Sequence, residues 1–127
     1  MPAGLGHEQR RSPRVEVLHR VRGELVAIDL PIIVHDLSRT GFAVLSQLAF
    51  AAGDTLDFRL VAAGETAETP VSVSARAVHS RPVGDDSALH LTGFMFIAGP
   101  LTGRVPEALI DRLIEAVRKP KPMFVAI

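Results

Sequence analysis

From Val15 onward, apolar and polar positions alternate. Val15, Val17, His19 and Val21 fall on one side against Glu16, Leu18, Arg20 and Arg22 on the other, and the alternation runs on to Ile28. A period of two predicts a strand with two unlike faces. Asp29-Leu30-Pro31 turns the chain, and Ile32 to Val34 begins a second strand. After a loop at Asp36 to Thr40, the run Gly41 to Ser46 predicts a third. Gly53-Asp54 is a turn signal, and Leu56, Phe58 and Leu60 alternate with Asp57 and Arg59 in a fourth. Residues 63–69 read as loop. Val71, Val73, Ala75 and Ala77 alternate with Ser72, Ser74 and Arg76 in a fifth, and Leu89 to Ile97 forms a sixth after the turn at Gly84-Asp85-Asp86.

The pattern then changes period. Pro106 suits the first position of a helix. Leu109, Ile110, Leu113, Ile114 and Val117 follow on one face at helical spacing, and Lys119-Pro120-Lys121-Pro122 stops the helix. Six short strands with tight turns and no helix between them predict a mainly all-β fold, a small six-stranded antiparallel β-barrel with a C-terminal α-helix. The expected organisation is a mobile arm over residues 1–13, a barrel with its helix over 14–119, and a tail over 120–127. The tail is apolar at its end, Met123 to Ile127, and is expected to fold back on the barrel or to supply a partner-binding patch.

Composition narrows the function. The 127 residues carry 14 basic and 14 acidic side chains, so no overall charge holds a polyanion. With 47% hydrophobic residues the chain can bury a sizeable core. It has no cysteine, which removes disulfides and thiolate-ligated metals. Six Phe without Trp or Tyr are too few for a stacking platform along single-stranded nucleic acid. Neither a signal peptide nor a membrane-spanning run is visible, and the expectation is a soluble, cytoplasmic protein.

Two local patterns carry the chemistry. Arg10-Arg11-Ser12-Pro13-Arg14 contains R-x-x-x-R with a third guanidinium inside it. Asp36-Leu37-Ser38-Arg39-Thr40-Gly41 reads D-x-S-x-x-G, about twenty residues further on. Each alone is ordinary, the first as a charged terminus and the second as a tight turn. Together, and in a barrel, they are specific. The sequence resembles the PilZ domain family over roughly Arg10 to Val117. Gly53-Asp54 before a strand, and Leu91-Thr92-Gly93-Phe94-Met95-Phe96 as the last-strand signature, extend the resemblance.

That resemblance implies a receptor for the bacterial second messenger cyclic di-GMP, bound by Arg10, Arg11, Arg14, Asp36, Ser38 and Gly41. The chemistry is consistent with the implied ligand. Arginine forks match phosphate oxygens and the O6/N7 edge of guanine. The Asp36 carboxylate suits the guanine N1–H and exocyclic amine, the Ser38 hydroxyl adds a polar contact, and Gly41 admits a flat base where a Cβ would collide. The resemblance also implies signal passage to a downstream protein partner, in motility, adhesion or biofilm matrix production, with no cofactor beyond the ligand. Arg39 has no motif role and reads as a surface residue. Some family members stack a base on an aromatic from the fifth-strand region. Here Ala75 to Arg81 offers only Arg76, His79 or Arg81 as a substitute, and alternation does not choose among them.

No catalytic constellation appears. The five histidines form no ligand-spaced pair, although His19 and His35 could meet across strands, and there is no G-x-S-x-G elbow. The chain therefore reads as a receptor and not an enzyme, with no metal, no nucleic acid and no membrane insertion. The alternative is a PilZ-like interaction module that binds protein without the ligand.

Overall fold

The computed structural model describes residues 14–62, 70–84, 86–99 and 103–118. The expected arm with Arg10 and Arg11, and the expected tail, lie outside them. Seven strands follow in chain order: β1 (Val15–Glu16), β2 (Val21–Leu25), β3 (Leu30–Leu37), β4 (Gly41–Ser46), β5 (Thr55–Ala62), β6 (Val71–Val83) and β7 (Asp86–Ile97). The helix α1 (Glu107–Arg118) ends the described chain. All pairings are antiparallel. Strand order runs β3-β2-β5-β6-β7-β4, and β4 pairs back to β3, closing a six-stranded barrel; β1 is an extra strand on the C-terminal end of β3.

The first predicted strand is interrupted twice. Residues 17–20 form a turn in which the Val17 carbonyl accepts from the amides of Arg20 and Val21, and His19 takes the left-handed conformation at φ 68°. Val17 is fully buried, so its apolar character reflects a plug under the turn and not a place in a ladder. Residues Val26–Ile28 then close a single 3-10 turn, which ends at Asp29 with φ 49°. Between these breaks, Val21 and Leu25 face the core. The remaining alternations hold, with β3 running on through Asp36 to Leu37 where a loop was expected, and β6 and β7 meeting nearer the Gly84 turn.

Alternation builds the core. Phe42, Phe58, Phe94 and Phe96 all point inward, and Phe42 touches the other three rings at centroid distances of 5.1, 5.4 and 5.4 Å. The helix covers β5 and β6 with Ile110, Leu113, Ile114 and Val117. Leu109, expected on that stripe, is 43% exposed at its margin. The Pro106 carbonyl accepts from the Ile110 amide, and Glu107 places an acid in the first turn, where the helix dipole favours it.

Candidate functional site

Asp36 is displayed by a defect in the sheet. The β3–β4 register passes from Val34↔Val44 to Asp36↔Ala43, leaving His35 as an extra residue, a β-bulge. Val34 and Leu37 are both fully buried, so the bulge holds the two intervening side chains, His35 and Asp36, at the surface. The short strand β1 then pairs Glu16 with Asp36 and brings the preceding Arg14 alongside. Arg14 Nη1 donates to Asp36 Oδ1 at 3.2 Å, and His35 Nδ1 lies 3.0 Å from Oδ2. The last arginine of R-x-x-x-R and the acid of D-x-S-x-x-G are thus in contact, 22 positions apart in sequence. Arg10 and Arg11 fall outside the described residues.

Ser38 and Gly41 are inside the turn that follows. The Ser38 hydroxyl accepts from the amides of Thr40 and Gly41 and lies 3.3 Å from the Gly41 carbonyl, and the residue is 3% exposed. Its amide donates to the same carbonyl at 2.8 Å. The hydroxyl therefore has a full set of partners within the chain. The requirement for glycine at 41 also has an internal cause: a Cβ there would collide with the Phe94 carbonyl oxygen of β7. At this position the protein's own backbone makes a close approach.

The register places a continuous row across four strands on the face opposite the core. Asp36 pairs with Ala43, Ala43 with Gly93, and Gly93 with His79. A second bulge, at Val78, gives β6 a local change of phase. The His79 imidazole occupies the space beside Gly93, with Nε2 3.0 Å from where a Cβ would stand. Of the three candidates for the missing aromatic, His79 is the one on the Asp36 row; Arg76 and Arg81 pair with Met95 and Leu91, one row to either side. Followed round the barrel wall, three strand spacings, roughly 14 Å of path, separate the Asp36 and His79 backbones, with only Ala43 and Gly93 between. The row thus carries an acid and a cation at one end and a flat ring at the other, with the small, buried Ala43 between them.

Histidine pairing across strands does not occur, since His19 sits in the β1–β2 turn and His35 is bound to Asp36. Among the described residues no group of three or more potential metal ligands comes together. Arg39, read from sequence as a surface residue, forks onto Asp111 of α1 with Nε to Oδ1 at 2.8 Å and Nη2 to Oδ2 at 3.3 Å. Sequence carried no signal for that pair, whose members are 72 residues apart.

A family model described as the PilZ domain matches residues 8–116. No curated protein matches the sequence. Among solved structures, the inhibitor of motility MotI/DgrA of Bacillus subtilis is similar with a TM-score of 0.67 at 12% identity, over 87% of this chain and 49% of that one. The PilZ domain of YcgR from Escherichia coli, solved with c-di-GMP, is similar at TM-score 0.60 and 19% identity, over 87% and 92% of the two chains. MrkH of K. pneumonia, solved as its c-di-GMP complex, follows at 0.58 and 18%, over 88% and 56%. The chain spans about half the length of MotI/DgrA and of MrkH. At these identities the likeness is one of fold. The family model, by contrast, runs from ahead of the R-x-x-x-R arginines into the last turn of α1, and by that match the chain belongs to the PilZ domain family.

Proposed function

We propose that this protein is a cyclic di-GMP receptor of the cytoplasm, without catalytic activity, that reports ligand occupancy to a partner protein. The observation that carries the reading is the contact between Arg14 and Asp36, because it joins the family's two motifs at one end of the cross-strand row. Two of the structures similar in fold were solved with c-di-GMP, and family membership supports the same ligand here.

In this reading one guanine presents its N1–H and exocyclic amine to Asp36. Asp36 Oδ1 already faces the Arg14 guanidinium and Oδ2 faces His35 Nδ1, and each oxygen keeps a second lone pair for the base. Arg14 takes a phosphate or the O6/N7 edge, joined by Arg10 and Arg11 from the preceding segment. The sugar–phosphate ring follows the row from Asp36, and the second base stacks on the His79 imidazole, which covers Gly93. Ser38 and Gly41 act through the turn: they hold the backbone that carries Asp36 in register with β4. A motility or biofilm output is consistent with the role of MotI/DgrA as an inhibitor of motility.

Titration calorimetry with cyclic di-GMP, with GTP and a short RNA as controls, tests the reading. Saturable heat with cyclic di-GMP alone is the expected result. Heat with the RNA instead would make the protein a nucleic-acid binder, and none with any of them would make it an interaction module.

A further inference from the structure

Two arginines tie α1 to the segments that frame the candidate site. Arg39, in the turn between Ser38 and Thr40, holds both carboxylate oxygens of Asp111. Arg20, in the turn that follows β1, donates from Nη1 to the Val117 carbonyl at 3.0 Å, near the helix C-terminus. The first anchor sits in the N-terminal half of α1 and the second at its end.

These anchors differ in strength of setting. The Arg39–Asp111 side chains are 61% and 46% exposed, so the pair stands in high dielectric and exchanges readily. The Arg20 bond is partly buried. A phosphodiester carries the same charge as a carboxylate and accepts the guanidinium fork in the same way. Arg39 is three residues from Asp36 along the chain, and Asp111 is its partner among the described acids.

We propose that Arg39 is a ligand-responsive latch. Without ligand it holds Asp111 and fixes the first half of α1 against the barrel. With a cyclic dinucleotide beside Asp36, a phosphate competes for the guanidinium, and the first half of α1 loses its polar tie and rests on the buried Ile110, while Arg20 keeps the second. The output element is then the N-terminal half of α1. The proposal rests on the cyclic di-GMP reading. Because coupling between two sites is reciprocal, Asp111 must also oppose ligand binding.

Calorimetry with cyclic di-GMP and hydrogen exchange of the α1 amides, on the full chain and its variants, test it together. Asp111→Asn frees Arg39 and should tighten binding about two- to five-fold, the range for an exposed pair. Arg39→Gln should weaken binding by a similar factor, and the double variant should match Arg39→Gln alone. In the unsubstituted protein, ligand should speed exchange in the first half of α1. In Asp111→Asn that exchange should be fast from the start and indifferent to ligand. A merely structural bridge would shift affinity in one direction in both variants, and that result overturns the latch. So does unchanged α1 exchange in a protein that calorimetry shows to be saturated. Absence of any binding heat in the unsubstituted chain overturns the receptor reading itself, and the latch with it.

Discussion

Replacing Asp36 with Asn separates a residue that reads a base from one that props a turn. The side chain is 15% exposed, and its two partners, Arg14 and His35, are 38% and 36% exposed. An ion pair with a partner that wet contributes about 0.2–1 kcal/mol, so the variant should melt only a few degrees lower. Binding should suffer more. The guanine edge offers two donors, and a carboxylate accepts both; the amide of Asn meets one of them donor to donor. Losing a bidentate base contact costs about 1–3 kcal/mol, or roughly 5- to 150-fold in affinity. Adenine pairs one donor with one acceptor, which the Asn amide matches. The preference for cyclic di-GMP over cyclic di-AMP should therefore collapse, and not merely weaken. Calorimetric titration of both nucleotides, with a thermal melt to check folding, gives the answer. If both weaken equally, or neither changes, Asp36 only positions Arg14 and its turn, and the base-reading role is wrong.

Arg14→Ala should weaken cyclic di-GMP by about 1–3 kcal/mol with almost no change in melting temperature, since its bridge to Asp36 is exposed. His79→Ala should cost about 1–3 kcal/mol in the same titration if a base stacks there, and His79→Trp should restore it. Phe42→Ala, at the centre of the ring cluster, should cost about 3–5 kcal/mol of stability in urea unfolding, a large part of what a domain this size possesses. Trypsin cleavage after Arg10, Arg11 and Arg14 should slow under saturating ligand more than cleavage elsewhere; equal rates would remove these arginines from the clamp.

Strands β4 to β7 and the helix were legible because each buries one face, and burial imposes a period on the sequence. The break between β1 and β2 was not. Its left-handed residue is His19, without the glycine that marks such turns, and the buried Val17 keeps the apolar beat through the interruption. The two bulges, at His35 and Val78, shift phase by one residue, which alternation alone reads as noise. For the site, the motif spacing pointed to Arg14 and Asp36, but only the β1–β3 register shows them touching. Ser38 and Gly41 illustrate a different limit. Residue type suggested contact with a ligand, and it gave no sign that the fold also needs both for its own hydrogen bonding and close packing. His79 was one of three options by residue type, and only cross-strand register shows that it, of the three, lies on the Asp36 row.

The row from Asp36 to His79 also bears on how the molecule comes apart. β3 and β4 are sequence neighbours joined by three residues, Ser38 to Thr40, and β6 and β7 form a hairpin at Gly84, so each half of the row rests on local pairing. The halves meet only along β4–β7, where Ala43 faces Gly93 across 50 positions of chain. Contacts at that separation carry the largest loop-closure entropy and form slowly. The middle of the row is therefore a seam between two hairpins. A molecule laid across it would act as a staple on the finished barrel, absent while the chain is still assembling. Its effect would fall on the unfolding limb of the chevron, leaving the refolding rate where it was.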